Sequence, residues 1–201
     1  MEFEMRLFSA TLLIVMFAVV TAHAQTDYIG GDATAIRITE PGLEGYWKYC
    51  VTINWDTSQY SEGARGQSHV SIVLGLEECL GYCGDACFMF PDTVGVSDGV
   101  DGCEVYYYAE FNIGGDPTLP PTTTTVKFEP YPADCEPDVS GTASVCFYSM
   151  FPPRIADSNP GSLWIKFGQF VEEGLITGML PSCRTAATEE SSWGSIKRLF
   201  R

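Results

Sequence analysis

The chain reads in twos. In Tyr46–Trp55, the residues Trp47, Tyr49, Val51, Ile53 and Trp55 share one side of an extended backbone, while Lys48, Thr52 and Asn54 share the other. Val70, Ile72, Leu74 and Leu76 interleave with Ser71, Val73 and Gly75. Val105, Tyr107, Ala109, Phe111 and Ile113 interleave with Glu104, Tyr106, Tyr108, Glu110 and Asn112. Successive side chains of a strand point to opposite faces, so this period marks strands with one face buried. Thr122–Tyr131, Gly141–Phe151, Leu163–Val171 and Gly174–Leu180 continue the pattern, and Ala33–Thr39 reads as a first strand. Gly, Pro and Thr punctuate the body, and no long helical period survives between them. Ser61–Gly66 reads as a flexible turn, and Pro152-Pro153 ends a strand because proline cannot serve a ladder. About eight short strands predict an all-β fold of two packed antiparallel sheets, a β-sandwich of jelly-roll or Ig-like type.

One stretch departs from alternation. Leu7–Val20 is uncharged and largely apolar, and Ala22-His23-Ala24 follows it as a small-x-small signal ahead of Gln25. Such a run suits the core of a secretory signal peptide and is too short to span a bilayer comfortably. Glu2 and Glu4 occupy the region where these peptides carry positive charge, so Met5 makes the better start. Residues 1–24 are therefore expected to be an export signal, 27–183 the β-sandwich domain, and 184–201 a polar linker with a basic amphipathic tail. The expected location is secreted, cell-surface or periplasmic. No second apolar run approaches membrane-spanning length, so no transmembrane segment is expected.

Charge narrows the partners. There are 26 Asp+Glu against 11 Lys+Arg, a formal net charge of −15. That argues against nucleic acid, which needs a basic footprint, and against an electrostatic hold on anionic membrane. It leaves solubility, divalent cations or basic partners as readings of the charge.

All eight cysteines (50, 79, 83, 87, 103, 135, 146 and 183) follow the expected cleavage site. In an exported chain an even count reads as disulfides. Zinc is the rival reading of Cys79, Cys83, Cys87 and Cys103, but their spacing departs from C-x2-C and export opposes free thiolates. Cys135 and Cys146 lie symmetrically about Ser140-Gly141. A hairpin with the loop Val139–Thr142 puts both cysteines and Pro137 at non-hydrogen-bonded sites, where Cα atoms approach to about 4.5 Å. A Cys135–Cys146 bond is expected on that register. Cys79, Cys83, Cys87 and Cys103 are expected to pair among themselves, because short loops close at low entropic cost. Cys50 is then left for Cys183.

Candidate chemistry is sparse. His69 is the histidine beyond the signal, and Ser68 beside it points to the opposite strand face, so the two cannot form a nucleophile–base pair. No Gly-rich phosphate loop joins a strand to a helix. Paired carboxylates of a hydrolase are recognised by separation in space, so that reading stays open. Tyr106 and Tyr108 share a face with Glu104 and Glu110, which is either a surface that stacks a sugar or a cross-strand packing ladder. Asp92, Asp98, Asp101 and Glu104 lie among Gly95, Gly99 and Gly102, which is either a weak calcium loop or plain turn chemistry. In the tail, Trp193, Ile196, Leu199 and Phe200 would line one side of a short helix beside Lys197, Arg198 and Arg201. That pattern is either a segment that docks to a partner, an export machine or the cell surface, or a frayed end without function, since Gly194 weakens such a helix.

Trp47-x-Tyr49-x-Val51-Thr52, followed by Ser68-His69-Val70-x-Ile72-x-Leu74 and Cys79, resembles β-rich modules of bacterial secreted and surface-anchored proteins of unassigned function. The ending Trp193-Gly194-Ser195-Ile196-Lys197-Arg198-Leu199-Phe200-Arg201 resembles a terminal signature of some bacterial exported proteins. The resemblance implies export and brings no catalytic residue with it. Leu180-Pro181-Ser182-Cys183 is not a sortase signal. The expectation is thus an exported, non-enzymatic extracellular or cell-surface binding or structural protein. The alternatives are a secreted hydrolase acting through paired carboxylates and a carbohydrate- or calcium-binding module, calcium being the one cofactor in view.

Overall fold

The computed structural model describes residues 29–58, 66–76, 84–114, 119–131, 134–156 and 162–182. Each alternating run becomes a strand, and three further short strands appear. In chain order they are β1 (Ile29–Arg37), β2 (Trp47–Asp56), β3 (His69–Val73), β4 (Phe88–Met89), β5 (Gly95–Asp98), β6 (Glu104–Ile113), β7 (Thr124–Tyr131), β8 (Ser140–Ser149), β9 (Pro153–Ile155), β10 (Leu163–Phe167) and β11 (Phe170–Pro181).

The strands do not form a sandwich. Their order is β1-β2-β8-β5-β6-β7-β3-β10-β11, and β11 pairs back onto β1, which closes a nine-strand barrel. β4 and β9 attach to β8 and β11 outside this circuit. Strand direction cannot alternate all the way round an odd-numbered ring, so one neighbouring pair must be parallel. That pair is β1 and β11, registered from Gly30↔Leu175 to Ala33↔Gly178.

Two joins turn the expected pair of sheets into a ring. The first is β5, which pairs with β6 from Gly95↔Tyr107 to Asp98↔Glu104 and with β8 from Gly95↔Val145 to Ser97↔Ala143. A β carbon on Gly95 would stand 2.0 Å from the Ser144 carbonyl oxygen, so only glycine lets the two backbones approach this closely. The second is the parallel β1–β11 seam. Gly178 takes a left-handed φ of +88° there, and a β carbon would stand 1.9 Å from the Ala33 carbonyl oxygen.

Inward positions fill the ring. Tyr49, Val51, Ile53 and Trp55 of β2 point inside with Val105 and Tyr107 of β6, Val126 and Phe128 of β7, and Val145 and Phe147 of β8. Tyr49, Tyr107, Phe128, Phe147 and Phe167 are among the largest fully buried side chains. The Tyr49 and Phe147 rings stack with centroids 5.5 Å apart, and Phe88 stacks on Phe111 at 4.5 Å. Burying such rings supplies roughly 1.5–3 kcal/mol each, so the interior is a packed core.

The buried polar atoms on these rings are bonded. The Tyr49 hydroxyl donates to the Phe151 carbonyl at 2.8 Å, and Trp55 Nε1 donates to the Asp138 carbonyl at 3.0 Å. The Tyr107 hydroxyl accepts from Gln67 Nε2 and lies 3.0 Å from Ser97 Oγ. Desolvation pushes the Tyr49 phenol well above its ordinary range. It also pushes Tyr107 up, against a smaller downward pull from the Ser97 and Gln67 hydrogen bonds.

The cysteines pair differently from the hairpin expectation. Cys146 bonds Cys50, and Cys135 bonds Cys103. The presumed hairpin does not exist, because β7 pairs with β6 and β3 while β8 pairs with β2, β4 and β5. Cys50 and Cys146 are register partners in the β2–β8 ladder, with Cα atoms 4.1 Å apart. The Cys146 N–H turns away from β2 and donates to the Val94 carbonyl, as it does at a non-hydrogen-bonded pair. A cross-strand disulfide does form at a register pair, but it joins β8 to β2.

Cys103 therefore leaves the local cluster, and Cys50 is not joined to Cys183. Cys87 is also disulfide-bonded. Cys79, Cys83 and Cys183 lie outside the described residues, as do residues 1–24, expected to be an export signal, and the tail residues Trp193, Ile196, Leu199 and Phe200.

Candidate functional site

The outer face of β5, β6 and β7 brings together most of the chemistry that alternation put on one side of β6. Val105 and Tyr107 point into the core, so Glu104, Tyr106, Tyr108 and Glu110 must point out. Register then supplies their neighbours. Tyr106 lies directly opposite Tyr131 of β7 and Val96 of β5. Tyr108 lies opposite Glu129, and Glu110 opposite Lys127. The three tyrosines remain open to solvent, with Tyr106, Tyr108 and Tyr131 exposed by 39%, 40% and 64%.

Hydrogen bonds pin two of these rings. The Tyr106 hydroxyl donates to Glu104 Oε2 at 3.0 Å, and the Tyr108 hydroxyl donates to Glu129 Oε2. Lys127 forms an ion pair with the other oxygen of Glu129. Asn112 donates to Glu110 at 2.9 Å. The first bond ties Tyr106 to a carboxylate two residues back on its own strand, and the second ties Tyr108 across to β7. The Glu104 hydrogen bond, and then its charge, raise the Tyr106 phenol above its usual range.

One end of this face is stapled. The Cys103–Cys135 bond ties the β5–β6 turn to the segment before β8. The Val100 N–H donates to the Glu136 carbonyl, and Gly99 bridges Pro137. Glu104 follows the staple directly, and Asp98 stands opposite it in register.

Other candidates are not assembled. Asp98 and Glu104 meet across the hairpin, but among the described residues no three His, Cys, Asp or Glu side chains converge on a metal position, the set Asp92, Asp98, Asp101 and Glu104 included. Glu104 and Glu110 stand six residues apart on one strand, about 20 Å, beyond the spacing of a glycosidase pair. Asp98 and Glu104 are closer, as register partners, and both are exposed on the outside of the barrel. His69 is half-buried on the outer face of β3 opposite Lys166, and the Ser68 hydroxyl donates to the Lys166 carbonyl at 3.0 Å.

Sequence reasoning missed Tyr131 and Val96. Tyr131 sat in an expected strand, but its place beside Tyr106 follows only from the β6–β7 register. Among known proteins, no family model matches the chain, and no curated protein or solved structure is significantly similar to it. Tyr49, Val51, Val70 and Ile72, which carry the resemblance to secreted β-rich modules, are all barrel core.

Proposed function

We propose that the protein is an exported, non-enzymatic binding protein of the extracellular space or cell surface, and that it works through the outside of its barrel. The observation that carries this reading is the exposed, hydrogen-bonded tyrosine face formed by Tyr106, Tyr108 and Tyr131. Large aromatic side chains left at the surface in a group mark an interaction site more often than scattered apolar residues do. The packed interior supports the same reading, since the core side chains occupy the space in which a hollow barrel holds its ligand.

Charge placement fits an aqueous barrel. Outward positions carry Glu104, Glu110, Lys127 and Glu129, where a membrane barrel presents an apolar band to lipid. Among the described residues, no helix is long and apolar enough to cross a membrane. Two disulfides between described residues suit an oxidising compartment.

The test is a glycan array probed with the purified protein, with and without calcium, beside a Tyr106→Ala/Tyr108→Ala/Tyr131→Ala variant. Signals lost in the variant, with melting temperature kept, are expected. Signals retained by the variant would exclude this face. The basic tail serves docking separate from the barrel on the same reading. Deleting Ser191–Arg201 should leave the melting temperature unchanged, because the ring closes at β11, and should change where the exported protein accumulates.

A further inference from the structure

We infer that the tyrosine face binds a cationic sugar chain, a β-linked oligomer of protonated glucosamine, with the rings of the sugar lying on Tyr106, Tyr131 and Tyr108 and its ammonium groups reaching Asp98 and Glu104. This deepens the binding reading above and rests on it. Three observations lead to this ligand and away from others.

The first is geometry. The aromatic groups are spread in two directions, Tyr131 across from Tyr106 and Tyr108 two residues along. They form a platform, which suits flat rings repeated along a chain. At Tyr106 both edges of β6 are occupied, by Val96 of β5 and Tyr131 of β7. A peptide therefore cannot add as a strand there, and recognition falls to ring faces and carboxylates.

The second is charge. Outward positions of the three strands carry Asp98, Glu104, Glu110 and Glu129 against Lys127, and Lys127 is already paired with Glu129. Asp98 and Glu104 are register partners on neighbouring strands, which sets two acids side by side at this end of the face. An anionic or sulfated sugar is disfavoured by the same groups, and by the net charge of −15. A ligand ammonium is attracted both by the carboxylates and by the tyrosine faces.

The third is rigidity. The Cys103–Cys135 staple fixes the turn before Glu104, and hydrogen bonds hold Tyr106 against Glu104 and Tyr108 against Glu129 before any ligand arrives. Little side-chain freedom is left to lose on binding.

Isothermal titration of the purified protein with glucosamine hexamer, its fully N-acetylated counterpart and a basic lysine-rich peptide tests the assignment. The glucosamine hexamer should bind about tenfold tighter than the acetylated one, and raising salt from about 0.05 to 0.5 M should erase most of that difference. Tyr106→Ala should weaken binding of the hexamer about tenfold or more, and Tyr106→Phe should retain most of it. Asp98→Asn/Glu104→Gln should remove the preference for the cationic hexamer.

Equal binding of both hexamers, lost on Tyr106→Ala, would overturn the cationic assignment and leave the binding face standing. Tighter binding of the peptide than of either sugar would overturn the sugar assignment. Hexamer binding indifferent to all these substitutions would overturn both the ligand and the face. No binding of either hexamer would overturn the ligand, leaving the array to judge the face alone.

Discussion

The two joins that close the ring solve one problem by different means. At β5, Gly95, Val96 and Ser97 are held on both sides by antiparallel partners, and the adjoining turn is fastened by Cys103–Cys135. At the β1–β11 seam, four register pairs run parallel, and no described disulfide crosses them. Both joins depend on glycine for close backbone approach. Only the first is locked covalently beside a candidate site. The covalent lock thus lies at the antiparallel join, while the seam derives its order from β2, which pairs with all nine residues of β1.

The largest effect is expected at the first join. Gly95→Val forces a side chain into the Ser144 backbone while β6 and β8 hold the strand from both sides. Loss of about 4 kcal/mol or more, or failure to fold, is expected in urea denaturation. A near-normal midpoint would show that β5 is dispensable for closure.

Removing the staples separately sharpens the contrast. Replacing Cys103 and Cys135 by alanine should cost about 3–4 kcal/mol, and replacing Cys50 and Cys146 about 1 kcal/mol more, because the latter closes the longer loop. The sequence separations are 32 and 96 residues. Only the first pair should also loosen the tyrosine face, seen as faster amide exchange at Glu104–Tyr108.

Gly178→Ala addresses the seam. Its positive φ and the Ala33 carbonyl both oppose a side chain, but the β1–β11 ladder ends at this pair. A smaller loss of about 1–3 kcal/mol is expected. Amide exchange should rise at Gly31–Ala33 and leave β5 unchanged.

The smallest effect is a pH dependence. Phenols of the unfolded chain ionise near pH 10, whereas burial holds the Tyr49 and Tyr107 protons to higher pH in the fold. The folded state then binds more protons, so this contribution is full below about pH 10 and is lost as pH rises beyond it. Urea midpoints measured from about pH 8 to 11.5 should fall above 10, and Tyr49→Phe should flatten the fall.

These joins also explain what could and could not be read from the chain. The long strands were legible because each puts large apolar residues on one face, as Tyr49, Val51, Ile53 and Trp55 do. β5 was hidden because its alternation runs backwards: Ser97 points in while Val96 and Asp98 point out. Gly95–Asp98 then reads as a turn, and without it the strands sort into two sheets instead of a ring. The disulfides failed for a related reason. Cys135 and Cys146 look like hairpin partners only if strands close in sequence are neighbours in space, and β8 instead lies between β2 and β5. The tyrosine face was half legible, since alternation places Tyr106 and Tyr108 together but only register adds Tyr131.

The parallel seam has a mechanical consequence. Because β1 and β11 run the same way, the chain enters the ring at Ile29, beside Gly174, and leaves it at Pro181, toward the opposite pole. Tension applied through the two ends would slide β1 along β11 and load the pairs from Gly30↔Leu175 to Ala33↔Gly178 at the same moment, whereas an antiparallel closing pair would peel one bond at a time.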